Sequence, residues 1–270
     1  MTNALQLPVI RRIVVTLDTS EAGRPGLDIA VRLAAVLGAE LEGVFVEDIN
    51  LIRLSGLPFL REVRACSLVE EVISTESMQR DLRALARQAE RMLLEAAQAM
   101  GVGCSFRVWR GSAAMETLST SFEADIIVSL RSLRLPTAYR AMPVLSARES
   151  AATAAIGAIN VLLSDSPQAD KALTAACRLA QDLGAEVRVL LPAEESLETS
   201  LHRRASELLA AHAQRASFIR LGSDTAAALA TAMQASPNGV LVTEVDHPLL
   251  RHAGLANCLE RLRCPVLFVR

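Results

Sequence analysis

Aromatic residues are nearly absent from this chain. They make up 3% of its 270 residues, against 51% hydrophobic residues in total, so the core has to be built from Ala, Leu and Val. Small aliphatic side chains suit helices packed closely on a parallel sheet, where the strands are apolar on both faces. Lysine is scarcer still, since Lys171 is the only one. Nearly all the positive charge is arginine, spread along the chain with acids between, and the net charge is -2. That distribution leaves no basic stripe and argues against nucleic acid as a partner. No C-x-x-C occurs among Cys66, Cys104, Cys177, Cys258 and Cys264. An odd number of cysteines without that spacing indicates reduced thiols in a cytoplasmic protein, not a disulfide framework. The longest nearly apolar run, 151–163, contains Thr153 and Asn160. It is shorter than the roughly 20 residues that span a bilayer, so no membrane partner is expected. At the start of the chain Arg11 and Arg12 follow the apolar residues, which does not fit a secretory leader.

What is present is a rhythm. Ile13 to Leu17 is β-branched and apolar and runs straight into Asp18, Thr19 and Ser20. Residues 22–37 follow with Leu27, Ala30, Val31, Ala34 and Leu37 at helical spacing. Gly38 is a natural helix stop, and Leu41 to Val46 is a second strand. Short connections make this a βαβ unit with parallel strands and a right-handed crossover. The pattern resumes with a long helix over 75–100, carrying Met78, Leu82, Leu85, Ala89, Met92, Leu93 and Ala96 on one stripe. A strand at 105–109, a helix near 113–122 and a strand at 125–129 complete a β-α-β-α-β-α-β order, which argues a doubly wound α/β sheet.

Residues 47–74 interrupt this order. Apolar Leu51, Ile52, Leu54, Leu57, Phe59 and Leu60 alternate with Arg53, Arg61 and Arg64 around the turn Gly56-Leu57-Pro58. The segment is either an insertion that packs on its own domain or an arm or lid that reaches a partner or the ligand crevice.

The second half repeats the first. Arg32-Leu-Ala-Ala-Val-Leu-Gly-Ala-Glu40 matches Arg178-Leu-Ala-Gln-Asp-Leu-Gly-Ala-Glu186 in register, and Asp125 to Ser129 corresponds to Gly239 to Thr243. Strands are expected at 159–163, 187–191, 218–221, 240–243 and 266–269, with helices at 168–183, 195–214, 224–235 and 249–262. A repeat this long means two copies of one fold, not a solenoid. The expected domains are therefore 1–157, with the insertion, and 158–270. After Ser129 the first half continues through a turn at Pro143 and a helix at 146–155, with no obvious fifth strand. Either its sheet is one strand short or the two domains share or exchange an edge.

The set of motifs resembles the tandem universal stress proteins. The resemblance rests on Ile13-Val-Val-Thr-Leu-Asp18-Thr-Ser20, the helix end Leu37-Gly-Ala-Glu40, the strand end Val44-Phe-Val-Glu-Asp48 and the closing Cys264-Pro-Val-Leu-Phe-Val269. It covers most of 12–130 and 159–269. It implies two tandem doubly wound parallel-sheet domains of strand order 3-2-1-4-5, and in many members an ATP site. In such a sheet the ligand crevice lies at the carboxyl ends of the strands where the order reverses. That location makes Asp18, Thr19, Ser20, Val46, Ser129, Arg131 and Arg134 the candidate ligand-binding residues.

The nucleotide-binding members carry G-x-x-G, about nine residues, then G-[ST] after strand four, because glycines let backbone N–H groups approach phosphate. After Ser129 this chain has Leu130-Arg-Ser-Leu-Arg-Leu-Pro136, and after Thr243 it has Glu244-Val-Asp-His-Pro248. Neither half keeps the loop. In the second half Ser164 takes the place of Asp18, and Glu244 and Asp246 would repel a triphosphate. His247 and His252 lack metal-site spacing and are expected at the surface. No nucleophile–base pair is visible, and no catalytic or metal-ligating residue is assigned. The expectation is a non-enzymatic, stress-associated regulatory or scaffold protein with a degenerate nucleotide site and no obligatory cofactor. It would act through an unidentified protein partner, as a homodimer or as an intramolecular pseudo-dimer. The alternative is an adenine-nucleotide binder using Asp18 and the 131–140 arginines, with slow ATPase activity at most.

Overall fold

The computed structural model describes residues 10–17, 24–55, 61–63, 70–72, 75–111, 123–129, 156–192, 194–222, 225–236, 239–251 and 264–270. In the first half these form strands β1 (Arg12–Leu17), β2 (Glu40–Asp48), β5 (Cys104–Gly111) and β6 (Ile126–Ser129), with helices α1 (Arg24–Leu37), α2 (Ile49–Ser55) and α3 (Thr75–Ala99). A short antiparallel pair, β3 (Arg61–Val63) with β4 (Glu70–Val72), lies between α2 and α3. The second half supplies β7 (Ala158–Leu162), α4 (Ala169–Leu183), β8 (Glu186–Leu191), α5 (Glu195–Ala211), β9 (Ala216–Arg220), α6 (Thr225–Gln234), β10 (Val240–Glu244) and β11 (Val266–Val269).

The two halves do not form separate sheets. One nine-stranded sheet runs in the order β5-β2-β1-β6-β11-β10-β7-β8-β9. Read from its own end, each half follows the order 3-2-1-4, and among the described residues only the second adds a fifth strand. That strand, β11, pairs parallel with β10 and antiparallel with β6. The shared edge expected as one of the two arrangements is therefore present. The physical reason is the backbone of β6, whose outer N–H and C=O groups would otherwise be an unpaired row in the middle of a hydrophobic layer.

β1 and β7 are buried on both faces, as central parallel strands must be. Ile13, Val15 and Leu17 join the larger core with α1, α3, α4 and α5, while Val14 joins the smaller core on the opposite face with Ile127, Leu241, Phe268 and Leu229 of α6. The apolar stripe of α1 is wider than its spacing suggested, because Ile29 and Leu33 are buried as well. α1 packs against α4 of the other half, and Arg32 reaches Asp182 at 3.5 Å. In α3 the buried line is Leu82, Ala86, Ala89, Leu93 and Ala97, so Ala86 takes the inward place expected for Leu85, which is exposed. α3 lies close on β2 because Gly43 has no side chain there. A Cβ at Gly43 would stand 2.5 Å from Leu93 Cδ2 and 2.8 Å from Leu17 Cδ1.

Within the 47–74 insertion, α2 packs on α3, Ile52 contacts the larger core and Ser55 is buried. This part of the insertion packs on its own domain. The expected helices at 113–122 and 146–155, and nearly all of the one at 249–262, lie outside the described residues; its start, Pro248–Arg251, is a short 3-10 turn. Among the described residues no helix is long and apolar enough to cross a membrane.

Candidate functional site

The strand order reverses twice, between β1 and β6 and between β7 and β10, and each reversal opens a crevice at the carboxyl ends of those strands. In the first half, Val15 pairs with Val128, which sets Ser129 beside the end of β1. Leu17 pairs with Phe45, so Val46 stands one residue past the end of β1 on its other side. Two of the candidate residues therefore flank the same crevice. Glu47, next to Val46, is buried and held by Arg110 through Nε at 3.0 Å and Nη2 at 2.8 Å. Asp18, Thr19, Ser20, Arg131 and Arg134 lie outside the described residues.

In the second half a buried carboxylate stands at the reversal point. Glu244, the last residue of β10, is 1% exposed. Its Oε1 accepts the Ser164 backbone N–H at 3.1 Å. Its Oε2 accepts both the Ser164 hydroxyl at 2.5 Å and the Ser166 hydroxyl at 2.6 Å. Burying a carboxylate is costly unless its oxygens are hydrogen-bonded, and three donors meet that need here. All three sit on the connection between β7 and α4, across the crevice from the strand that carries the acid. Ser166 also accepts the Gln168 N–H at 3.2 Å, which fixes the connection as it enters α4.

A cation lies near this cluster. Arg204 of α5 donates to Asp170 at 2.7 Å and stands 3.8 Å from Asp165. The Asp170 hydrogen bond is the main influence raising its pKa, burial opposes it, and the charges of Asp170, Asp165 and Glu244 add to it. His247 follows in the turn after β10. It was expected at the surface and is instead 2% exposed. Its Nδ1 accepts the Leu249 N–H at 3.2 Å, which assigns the proton of the neutral ring to Nε2. Nε2 itself meets no partner within hydrogen-bond geometry. Burial holds the His247 pKa below the ordinary histidine value, against the charge of Glu244 and the Leu163 backbone.

The sequence marked Glu244 only as a charge that would repel phosphate. It did not mark Glu244 as the partner of Ser164. A signal was available in the alignment of the halves, because Ser164 replaces Asp18 at the end of the first strand while Glu244 stands where the first half has Leu130. Asp246 is exposed, and His252 lies outside the described residues. Cys104, Cys177 and Cys264 are present as thiols, and burial pushes the Cys177 thiol up to about 12. Among the described residues no group of three or more His, Cys, Asp or Glu side chains could hold a metal ion.

No protein-family model and no curated protein matches this chain. Solved structures do. The chain is similar to a universal stress protein from Archaeoglobus fulgidus DSM 4304, with a TM-score of 0.57 and 11% identity over 96% of this chain and 98% of that one. A universal stress protein described as putative, from Pseudomonas aeruginosa UCBPP-PA14, aligns over 96% of this chain and 93% of that one at 13% identity and a TM-score of 0.40. The first of these matches shows that the chain has the fold of a universal stress protein along nearly its whole length.

Proposed function

We propose that this chain is a non-enzymatic, stress-associated regulatory or scaffold protein that works through protein contacts in the cytoplasm. The observation that carries this reading is the Glu244 carboxylate held in the second crevice by Ser164 and Ser166. A nucleotide would have to displace a buried anion and leave three donors to be satisfied anew, and its phosphates would meet that charge at short range. The absence of the glycine loop from both halves supports the same reading. So does the joining of the halves through β11, which is compatible with the pseudo-dimer that the resemblance implies.

A second reading keeps adenine-nucleotide binding in the first crevice alone. It is favoured by the placement of Val46 and Ser129 on either side of the strand that leads to Asp18. Asp18 would accept from a ribose or an adenine amine, with Thr19 and Ser20 beside it and Arg131 and Arg134 toward the phosphates.

The test is to denature protein purified from cells, identify any released small molecule by mass spectrometry, and then titrate ATP by calorimetry. The first reading expects no released nucleotide and no binding heat up to millimolar ATP. Micromolar ATP affinity that disappears in Asp18→Ala would replace it with the second.

A further inference from the structure

The parts that close the second crevice separate into a holder and an occupant. The holder is the β7–α4 connection, which contributes the Ser164 N–H, the Ser164 hydroxyl and the Ser166 hydroxyl. The occupant is one side chain from the end of β10. The donors address its two oxygens separately, the N–H binding Oε1 and the hydroxyls binding Oε2. Such an arrangement recognises the shape of an oxyanion as well as its charge. The guanidinium of Arg204 stands beside the connection, anchored on Asp170 and 3.8 Å from Asp165. Two of these groups have contacts of their own besides Glu244. Ser166 is braced by the Gln168 N–H and Arg204 by two acids of α4 and its approach.

We infer that the Ser164–Ser166 connection is an oxyanion-binding site that Glu244 occupies as a built-in ligand. The class of molecule that fits in its place bears a carboxylate or a phosphate group. This inference rests on the crevice being closed by Glu244, and it adds that the closing contact is exchangeable. In the full chain the internal carboxylate competes with any free oxyanion at a very high effective concentration, so an external ligand enters only when the end of β10 withdraws.

The experiment vacates the site and refills it. Glu244→Ala is compared with the parent chain by urea unfolding in chloride, formate, acetate and inorganic phosphate at equal ionic strength. The expected result is a saturable rise in the unfolding midpoint of the variant, at least threefold larger than that of the parent. Adding Ser164→Ala and Ser166→Ala to the variant should remove it. A response to formate and acetate alone assigns a carboxylate ligand, and a response to phosphate assigns a phosphate ligand. Equal responses of parent and variant to every ion overturn the inference. Should Glu244→Ala fail to fold in chloride, refolding yield in the same ions is read instead. Recovery in formate, acetate or phosphate supports the site, and no recovery in any ion overturns it. Neither negative result bears on the ATP titration of the parent chain, which tests the proposed function separately.

Discussion

The backbone N–H of Arg270 donates to the carbonyl of Asp125 at 2.8 Å. The carboxylate of the same aspartate accepts the N–H groups of Arg11 at 2.8 Å and Arg12 at 3.1 Å. One residue thus ties the start of β1 and the start of β6 to the end of β11. Hydrogen bonds to a charged acceptor are worth about 1.5–3 kcal/mol each when buried and less near solvent. Asp125→Ala should therefore cost about 2 kcal/mol in urea unfolding, and Asp125→Asn, which keeps one acceptor oxygen, clearly less. Equal losses for the two variants would mean that the carboxylate is not the tie.

Gly43 should tolerate no side chain while Leu93 is in place. Gly43→Ala puts a methyl inside the contact between β2 and α3, and overpacking of this kind costs about 1–3 kcal/mol. Leu93→Ala alone should be destabilising, because Leu93 is fully buried. The double variant should lose less than the sum of the two by about 1 kcal/mol or more, because each change removes the other's problem. Strict additivity in chemical denaturation would show that α3 shifts away from β2 instead.

His247 should make the fold sensitive to mild acid. Its pKa is lowered in the folded chain by burial, so between that value and about 6.5 the unfolded chain binds the proton and the folded chain does not. Stability is then full above about pH 7 and falls as the pH drops through 6.5 toward the folded value. His212, also lowered by burial and by Arg178, contributes with the same sign. His247→Asn keeps an acceptor for the Leu249 N–H and removes one titration. Unfolding midpoints measured from pH 8 to pH 5 should fall less steeply in this variant, and identical slopes would remove His247 from the account.

Much of this architecture was legible in the chain itself. β1 and β7 read as strands because they are apolar throughout, and central parallel strands bury both faces. The helix ends at Gly38 and Gly184 read correctly because both residues take positive φ, at 63° and 64°, where glycine is favoured. Other features depend on distant partners. The inward face of α1 looked narrow because its spacing reports contact with its own sheet, while Ile29 and Leu33 are buried as well and α1 also packs against α4 from the other half. Leu85 was placed in the stripe of α3, yet Ala86 holds the buried position at the spacing of Leu82 and Ala89. His247 looked polar enough for the surface, but the turn after β10 buries it, a consequence of tertiary packing that no local pattern carries. Ser164 and Glu244 are 80 positions apart, and only strand order brings them together.

The single fifth strand has a consequence for stoichiometry. β11 offers two edges, one taken by β10 and the other by β6. A half-sheet ending in β6 can therefore be completed by only one companion, and the companion here is already covalently attached. The ratio of first half to second half is locked at one to one, and the seam between them is saturated. Among the described residues the open edges of this sheet are β5 and β9, so strand addition to it begins at opposite ends of the nine-stranded order.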